Sequence, residues 1–101
     1  YYIHSNYREQ ISLKSMAQDL YISENIIRTL LRENLNTSFK DILSAYRIRY
    51  AEALLVVTDL PILDISLASG FNSERTFTRL FKDRNGITPS TFRNQHIRET
   101  T

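Results

Sequence analysis

Ser23-Glu24-Asn25-Ile26-Ile27-Arg28-Thr29-Leu30-Leu31-Arg32 and Ser73-Glu74-Arg75-Thr76-Phe77-Thr78-Arg79-Leu80-Phe81-Lys82 are two copies of one pattern, set 50 residues apart. Each opens on a serine able to cap a helix, continues with an acidic residue, and then places apolar side chains at helical spacing. Each follows a short amphipathic segment and a tight turn. Two helix-turn-helix units in one small chain would set two reading helices against one stretch of DNA. The copies are out of register upstream: Ala17 precedes Ser23 by six residues, whereas its counterpart Ser66 precedes Ser73 by seven. The second turn therefore holds one extra residue, among Gly70, Phe71 and Asn72.

Outward from the repeats, the chain reads as helices throughout. Residues 1 to about 9 form a helix with Ile3 and Tyr7 four apart. Ser12 caps the next, whose apolar face is Leu13, Met16, Ala17 and Leu20. Tyr21-Ile22 is the turn before Ser23, and Ile26, Ile27, Leu30 and Leu31 are the expected buried stripe of the first patterned helix. Asn36 is expected to take the left-handed conformation that stops it. Ser38 caps the longest segment, with Asp41 three residues on. The apolar positions there include Phe39, Ile42, Leu43, Tyr46, Tyr50, Ala53, Leu54 and Val57, and the helix ends near Asp59. Some 20 residues at 1.5 Å each span roughly 30 Å, close to one turn of B-DNA at about 34–36 Å. Pro61 suits a helix start, Gly70 a tight turn, and Gly86 the end of the second patterned helix. Pro89 leads into a short last helix with Phe92 and Ile97. No stretch alternates with period two, so no sheet is expected. The fold class is all-α: two helix-turn-helix subdomains, residues 1–37 and 60–101, joined by a long central helix over residues 38–59.

Composition narrows the function. The chain has 101 residues, no Cys, two Gly and two Pro, which favours long helices with short connections and excludes disulfides and thiolate metal ligands. His4 and His96 lie near opposite ends, no carboxylate pair sits in an apolar setting, and Gly70 and Gly86 are isolated, so an enzyme, a metal site and a bound cofactor are not expected. No apolar run approaches the roughly 18 residues of a membrane span. The net charge of +2 is modest, but its distribution is not even. Residues 73–86 carry all of that excess, through Arg75, Arg79, Lys82 and Arg84 against Glu74 and Asp83. That is where a phosphate-facing surface would want it.

The candidate contacts follow from helical spacing. On the first copy Glu24, Asn25, Arg28 and Thr29 share the face opposite the apolar stripe; on the second Glu74, Arg75, Thr78 and Arg79 have the same spacing. Asn and Arg make paired hydrogen bonds to adenine and guanine edges, Glu can accept from cytosine, and Thr can meet a thymine methyl. Glu24 and Glu74 also suit the positive end of a helix dipole. Arg47 and Arg49 on the central helix are read as structural. A helical protein-interaction module with a basic face is the alternative, but docking to a protein does not require two copies at this spacing.

The second half resembles the signature region of the AraC/XylS family of bacterial transcription regulators. Ile65, Gly70-Phe71, Phe77, Arg79, Phe81-Lys82, Gly86, Thr88-Pro89 and Phe92-Arg93 carry the likeness. The first half matches the family's less regular unit through Leu13, Ala17, Leu20, Ser23, Ile27, Leu30, Ser38-Phe39 and Arg47. The resemblance covers about residues 10 to 93. It implies a seven-helix DNA-binding domain whose two recognition helices, about residues 23–34 and 73–85, enter adjacent major-groove segments of double-stranded DNA. It further implies a bacterial cytoplasmic protein on the nucleoid, more often an activator, with RNA polymerase as a partner and a sensing or dimerisation domain ahead of this one. The start at Tyr1 without Met agrees with a piece of a longer chain. The chain departs from the pattern at Leu31, Asn36, Ser66, Thr76 and Asn85; Thr76 stands where the family commonly has an aromatic, which would free surface near the DNA, so it joins the candidate contacts. Ser66 stands where Ala is common, and its hydroxyl is expected to bond back to a carbonyl one turn earlier.

Overall fold

Serine caps start the helices where the sequence places them. Ser12, Ser23 and Ser73 each accept from the backbone N–H three residues on, at Ser15, Ile26 and Thr76, and Ser38 does the same for Asp41 at 3.2 Å. Each cap satisfies an N–H that the first helical turn leaves open, worth typically about 1 kcal/mol. The computed structural model describes residues 2–100, with side chains through residue 96. Seven helices occur among the described residues: α1 (Tyr2–Asn6), α2 (Leu13–Leu20), α3 (Glu24–Leu35), α4 (Phe39–Val57), α5 (Ile62–Ala68), α6 (Glu74–Asn85) and α7 (Pro89–Thr100). No strand occurs among them, so the all-α class and the helix count expected from sequence hold.

The chain divides into two units, Tyr1–Tyr46 and Arg47–Thr101, and α4 passes from the first into the second. The first unit is lightly cored. Ile3, Ala17, Ile27 and Leu43 are its buried apolar residues. The Tyr46 ring adds an aromatic contact at the start of the chain, edge-on to His4 at 5.4 Å and stacked on Tyr7 at 5.5 Å. The helix expected over residues 1–9 stops at Asn6. The Asn6 side chain donates to the Tyr2 carbonyl, and the Glu9 N–H turns back to the Asn6 carbonyl.

The second unit has a continuous core of Ile48, Ala51, Leu55, Ile65, Phe71, Phe77 and Phe81. Phe71, Phe77, Phe81 and Phe92 follow one another with ring centroids 5.3, 5.6 and 5.3 Å apart, the offset and edge-on geometries that aromatic quadrupoles favour. Phe77 and Phe81 are wholly buried, each contributing about 1.5–3 kcal/mol by removal from water. Arg93 ties α7 to the end of α4: its Nε donates to the Leu55 carbonyl at 3.1 Å and its Nη2 to the Thr58 carbonyl at 3.2 Å. Those carbonyls belong to the last turn and just beyond it, where helical partners run out.

Two expectations about the core need correction. In α3 only Ile27 is buried, while Ile26 and Leu30 are about half exposed. At about 100° per residue, Ile26 and Leu30 lie on one flank of Ile27 while Leu31 lies on the other, so burying Ile27 and leaning toward Leu31 (half-buried) lifts the first flank toward solvent. In α4 the buried positions after Leu43 are Ile48, Ala51 and Leu55, whereas Ala53 is exposed and Val57 is 74% exposed. Residues 53–57 are all apolar, so periodicity selects no face there. The last helix is 12 residues, longer than the short one expected, and the side chain of Ile97 lies outside the described residues.

Candidate nucleic-acid interface

Both turns close by the same backbone device. After α2, Tyr21 takes the left-handed conformation (φ 59°), its N–H donates to the Gln18 carbonyl and the Ile22 N–H to the Ala17 carbonyl. After α5, Gly70 takes the left-handed side (φ 103°), its N–H donates to Leu67 and the Phe71 N–H to Ser66. These are paired Schellman closures, with Tyr21 matching Gly70, Ile22 matching Phe71 and Ala17 matching Ser66. The capping serine follows Ile22 directly, but Asn72 intervenes before Ser73. The extra residue of the second turn is therefore Asn72, and it sits after the closure, on the approach to α6. Phe71 is buried and lies beneath the Arg47 guanidinium, 5.8 Å from ring centroid to Cζ. Burial lowers the Arg47 pKa from its ordinary value, leaving it cationic at any working pH. Arg47 is thus a structural clamp on the second turn. The Ser66 hydroxyl donates to the Leu63 carbonyl at 2.6 Å, the back-bond expected from sequence.

With both closures and caps aligned, the candidates fall into matching positions. Glu24 and Glu74 are the first residues of α3 and α6, Asn25 and Arg75 the second, Arg28 and Thr78 the fifth, Thr29 and Arg79 the sixth. Asn25, Arg28, Thr29, Glu74, Arg75 and Arg79 are exposed; Glu24 and Thr78 are half-buried. Within each helix, then, the fold brings these residues to one accessible N-terminal face. Thr76 differs. It is half-buried, and its hydroxyl accepts from the Ser73 hydroxyl at 3.0 Å within the cap of α6, which ties it to the helix start.

The two faces differ in how their charge is held. In α3, Arg28 Nη1 donates to Asn25 Oδ1 at 3.0 Å and Nη2 pairs with Glu24 Oε1 at 3.5 Å. In α6 the side chains of Glu74, Arg75 and Arg79 have no hydrogen-bond or ion-pair partner among the described residues. Adjacent to α3, Leu13, Arg28, Arg32, Phe39 and Lys40 line a cleft of about 340 Å3 in the first unit, with three cations and no carboxylate in its wall. Sequence spacing does not single out Lys40, because it lies on α4; only the fold brings it to the cleft that Arg28 and Arg32 share. No group of His, Asp and Glu that could hold a metal ion occurs among the described residues, and no helix is long and apolar enough to cross a membrane.

A family model described as a helix-turn-helix domain matches residues 16–95, which takes in both turns, both patterned helices and α4. A protein from Chromobacterium violaceum described as a transcriptional regulator with an AraC-type DNA-binding domain superposes with a TM-score of 0.84 at 28% identity, over 93% of this chain and 84% of that one. The chain belongs to the AraC-type helix-turn-helix family. That family consists of DNA-binding transcription regulators, not enzymes. Among sequence relatives, YijO of Escherichia coli K12, described as an HTH-type transcriptional regulator, is 31% identical over 99% of this chain. The chain spans only 35% of YijO. The DNA-binding domain of AdpA, a global transcriptional factor solved in complex with a target DNA, shares the fold with a TM-score of 0.88 at 20% identity, over 94% of this chain and 86% of that one.

Proposed function

We propose that this AraC-type domain binds double-stranded DNA at a specific sequence to control bacterial transcription, with α3 and α6 reading adjacent major-groove segments. One observation carries the reading. Two helices with the same serine cap, the same Schellman closure before them and first, second, fifth and sixth positions that are exposed or half-buried are presented by one chain. A helix entering the major groove contacts base edges through its N-terminal residues, and those positions hold Glu24, Asn25, Arg28 and Thr29 in one copy and Glu74, Arg75, Thr78 and Arg79 in the other. Arg28 and Arg79 suit guanine, Asn25 a base-edge acceptor through its amide N–H, and the threonines a thymine methyl or a phosphate. Thr76 serves from within the cap through its methyl. Arg75, Lys82 and Arg84, together with Arg32 and Lys40 of the cleft wall, supply phosphate attraction.

The organisation proposed is residues 1–37 and 60–101 as the two reading subdomains with residues 38–59 between them. The protein acts in the bacterial cytoplasm on the nucleoid. It works as an activator through RNA polymerase, and a sensing or dimerisation domain belongs to the longer regulator of which this is the DNA-binding part. Selection of bound sites from random duplex DNA with this chain tests the core of the reading. Two short preferred blocks about one helical turn apart support two reading helices; one block leaves the second helix a clamp. Affinity should fall steeply with salt as neutralised phosphates release counterions, and titrations that overlay across salt concentrations refute DNA binding.

A further inference from the structure

The arginine of α3 is held in place before any DNA arrives, and its counterpart in α6 is not. Arg28 occupies the fifth position of its helix, one turn after Glu24, and reaches back to Glu24 Oε1 and Asn25 Oδ1 at 3.5 and 3.0 Å. The pair stays partly in solvent, with 52% of the Arg28 side chain and 42% of Glu24 exposed. The acid lies four residues N-terminal to the base, the favourable order on a helix. Two of the five guanidinium N–H donors are spent this way, and the others remain available. In α6 the fifth position is Thr78, so Glu74 has no cation one turn on, and Arg79 stands about 100° further round the helix.

We propose that Glu24 is a positioning residue for base reading by Arg28, and that α3 specifies guanine in consequence. This rests on the reading of α3 as a recognition helix. An arginine that swings freely is drawn to the nearest phosphate, the stronger long-range attraction. Tethered to Glu24 and Asn25, the guanidinium is held across the first turn of α3, where it meets a base edge. Its remaining donors match the paired acceptors O6 and N7 of guanine. The same tether engages Asn25. Paired recognition of adenine needs Asn25 Oδ1 as acceptor together with its amide N–H, and that oxygen already accepts from Arg28. Glu24 also sets a negative charge beside the phosphates, a small cost in affinity that falls on every sequence alike.

The test compares this chain with E24A, E24Q and R28A on duplexes carrying every single base change in the α3 half of a selected site, at several salt concentrations. R28A should become indifferent at one guanine. E24A should lose about two- to fivefold of the discrimination at that same base pair, the range an exposed ion pair can supply, while binding to unrelated DNA tightens. Its salt slope should steepen by up to about 0.9 as the released arginine takes a phosphate. E24Q retains an acceptor without the charge and should fall between. An E24A profile identical to wild type, or one in which all sequences weaken equally, overturns the proposal and leaves Glu24 a helix-dipole residue. If R28A itself keeps the wild-type profile, the reading of Arg28 falls and the proposal with it. The two failures are therefore distinct.

Discussion

Replacing Ser69 with alanine should stabilise the second unit, and replacing Ser66 should not. Both serines are wholly buried on α5 or at its end. The Ser66 hydroxyl donates to the Leu63 carbonyl at 2.6 Å, whereas Ser69 Oγ has no partner among the described residues. A buried hydroxyl without a partner costs about 1–3 kcal/mol in lost hydration. Removing its one oxygen leaves a void that, at about 24 cal/mol per Å3, costs only a few tenths of a kcal/mol. The Ser69 N–H keeps its bond to the Ile65 carbonyl in the alanine variant. Ser69→Ala should therefore gain about 1–2 kcal/mol. Ser66→Ala gives up a satisfied bond worth about 0.5–1.5 kcal/mol, partly offset by the better helix propensity of alanine, and should end neutral to mildly destabilised. Urea denaturation followed by far-UV circular dichroism measures both, provided the m-value stays that of wild type. A Ser69→Ala chain no more stable than wild type, with m unchanged, refutes the reasoning: the hydroxyl would then be satisfied by a trapped water.

Three further outcomes are expected. Tyr21→Gly should raise stability by about 0.5–1 kcal/mol, because Tyr21 holds a left-handed backbone and the residue is 93% exposed; a lower melting temperature would show that the ring contributes a contact of its own. Arg93→Ala should cost about 2–3 kcal/mol in chemical denaturation by stripping the Leu55 and Thr58 carbonyls of a cationic donor, and Arg93→Lys should fail to restore it because one ammonium lacks the planar fork. Arg79→Ala should weaken binding to a selected site by about 1–3 kcal/mol and relax preference in the α6 half alone, as read from competition titrations; an unchanged curve removes Arg79 from the interface.

What could be read before the fold was known is what short-range chemistry decides. Ser12, Ser23, Ser38 and Ser73 announce helix starts because a cap involves only residues three apart. Asn36 and Gly86 announce helix ends for a similarly local reason, and both take positive φ, 50° and 76°. The exposed candidates on α3 and α6 were legible for the same cause, since the first two turns of a capped helix have a known spacing. Burial was harder. Ile26 and Leu30 read as core because they are apolar, yet solvent reaches them, since which flank of Ile27 is covered depends on packing and not on spacing. In α4 an apolar run gave periodicity no contrast with which to choose Ala51 and Leu55 over Ala53 and Val57. The tether of Arg28 follows a spacing of three and four residues within α3, which the sequence shows, but the arrival of Lys40 beside Arg32 depends on a second helix, and no local pattern encodes it.

The two copies diverge at three points that act in one direction. Asn72 lengthens the approach to α6 after the turn has closed, so α6 need not leave its turn at the angle α3 does. The arginine sits at the fifth position of α3 and the sixth of α6, about 100° apart in projection. One arginine is tethered by an acid, and the other has no partner among the described residues. A pair of identical readers would bind a direct repeat and tolerate slippage from one block to the next. Unlike readers on one chain penalise that slip, because each would then meet the other's bases. They also penalise binding with the two halves exchanged. Acting on DNA as proposed, the domain is thereby given a single direction along the duplex without needing a second protomer to set it. A regulator that must face a promoter from one side requires that polarity, and on the proposed reading it would arise from one inserted residue and one shifted arginine, which leaves Glu24 paired and Glu74 not.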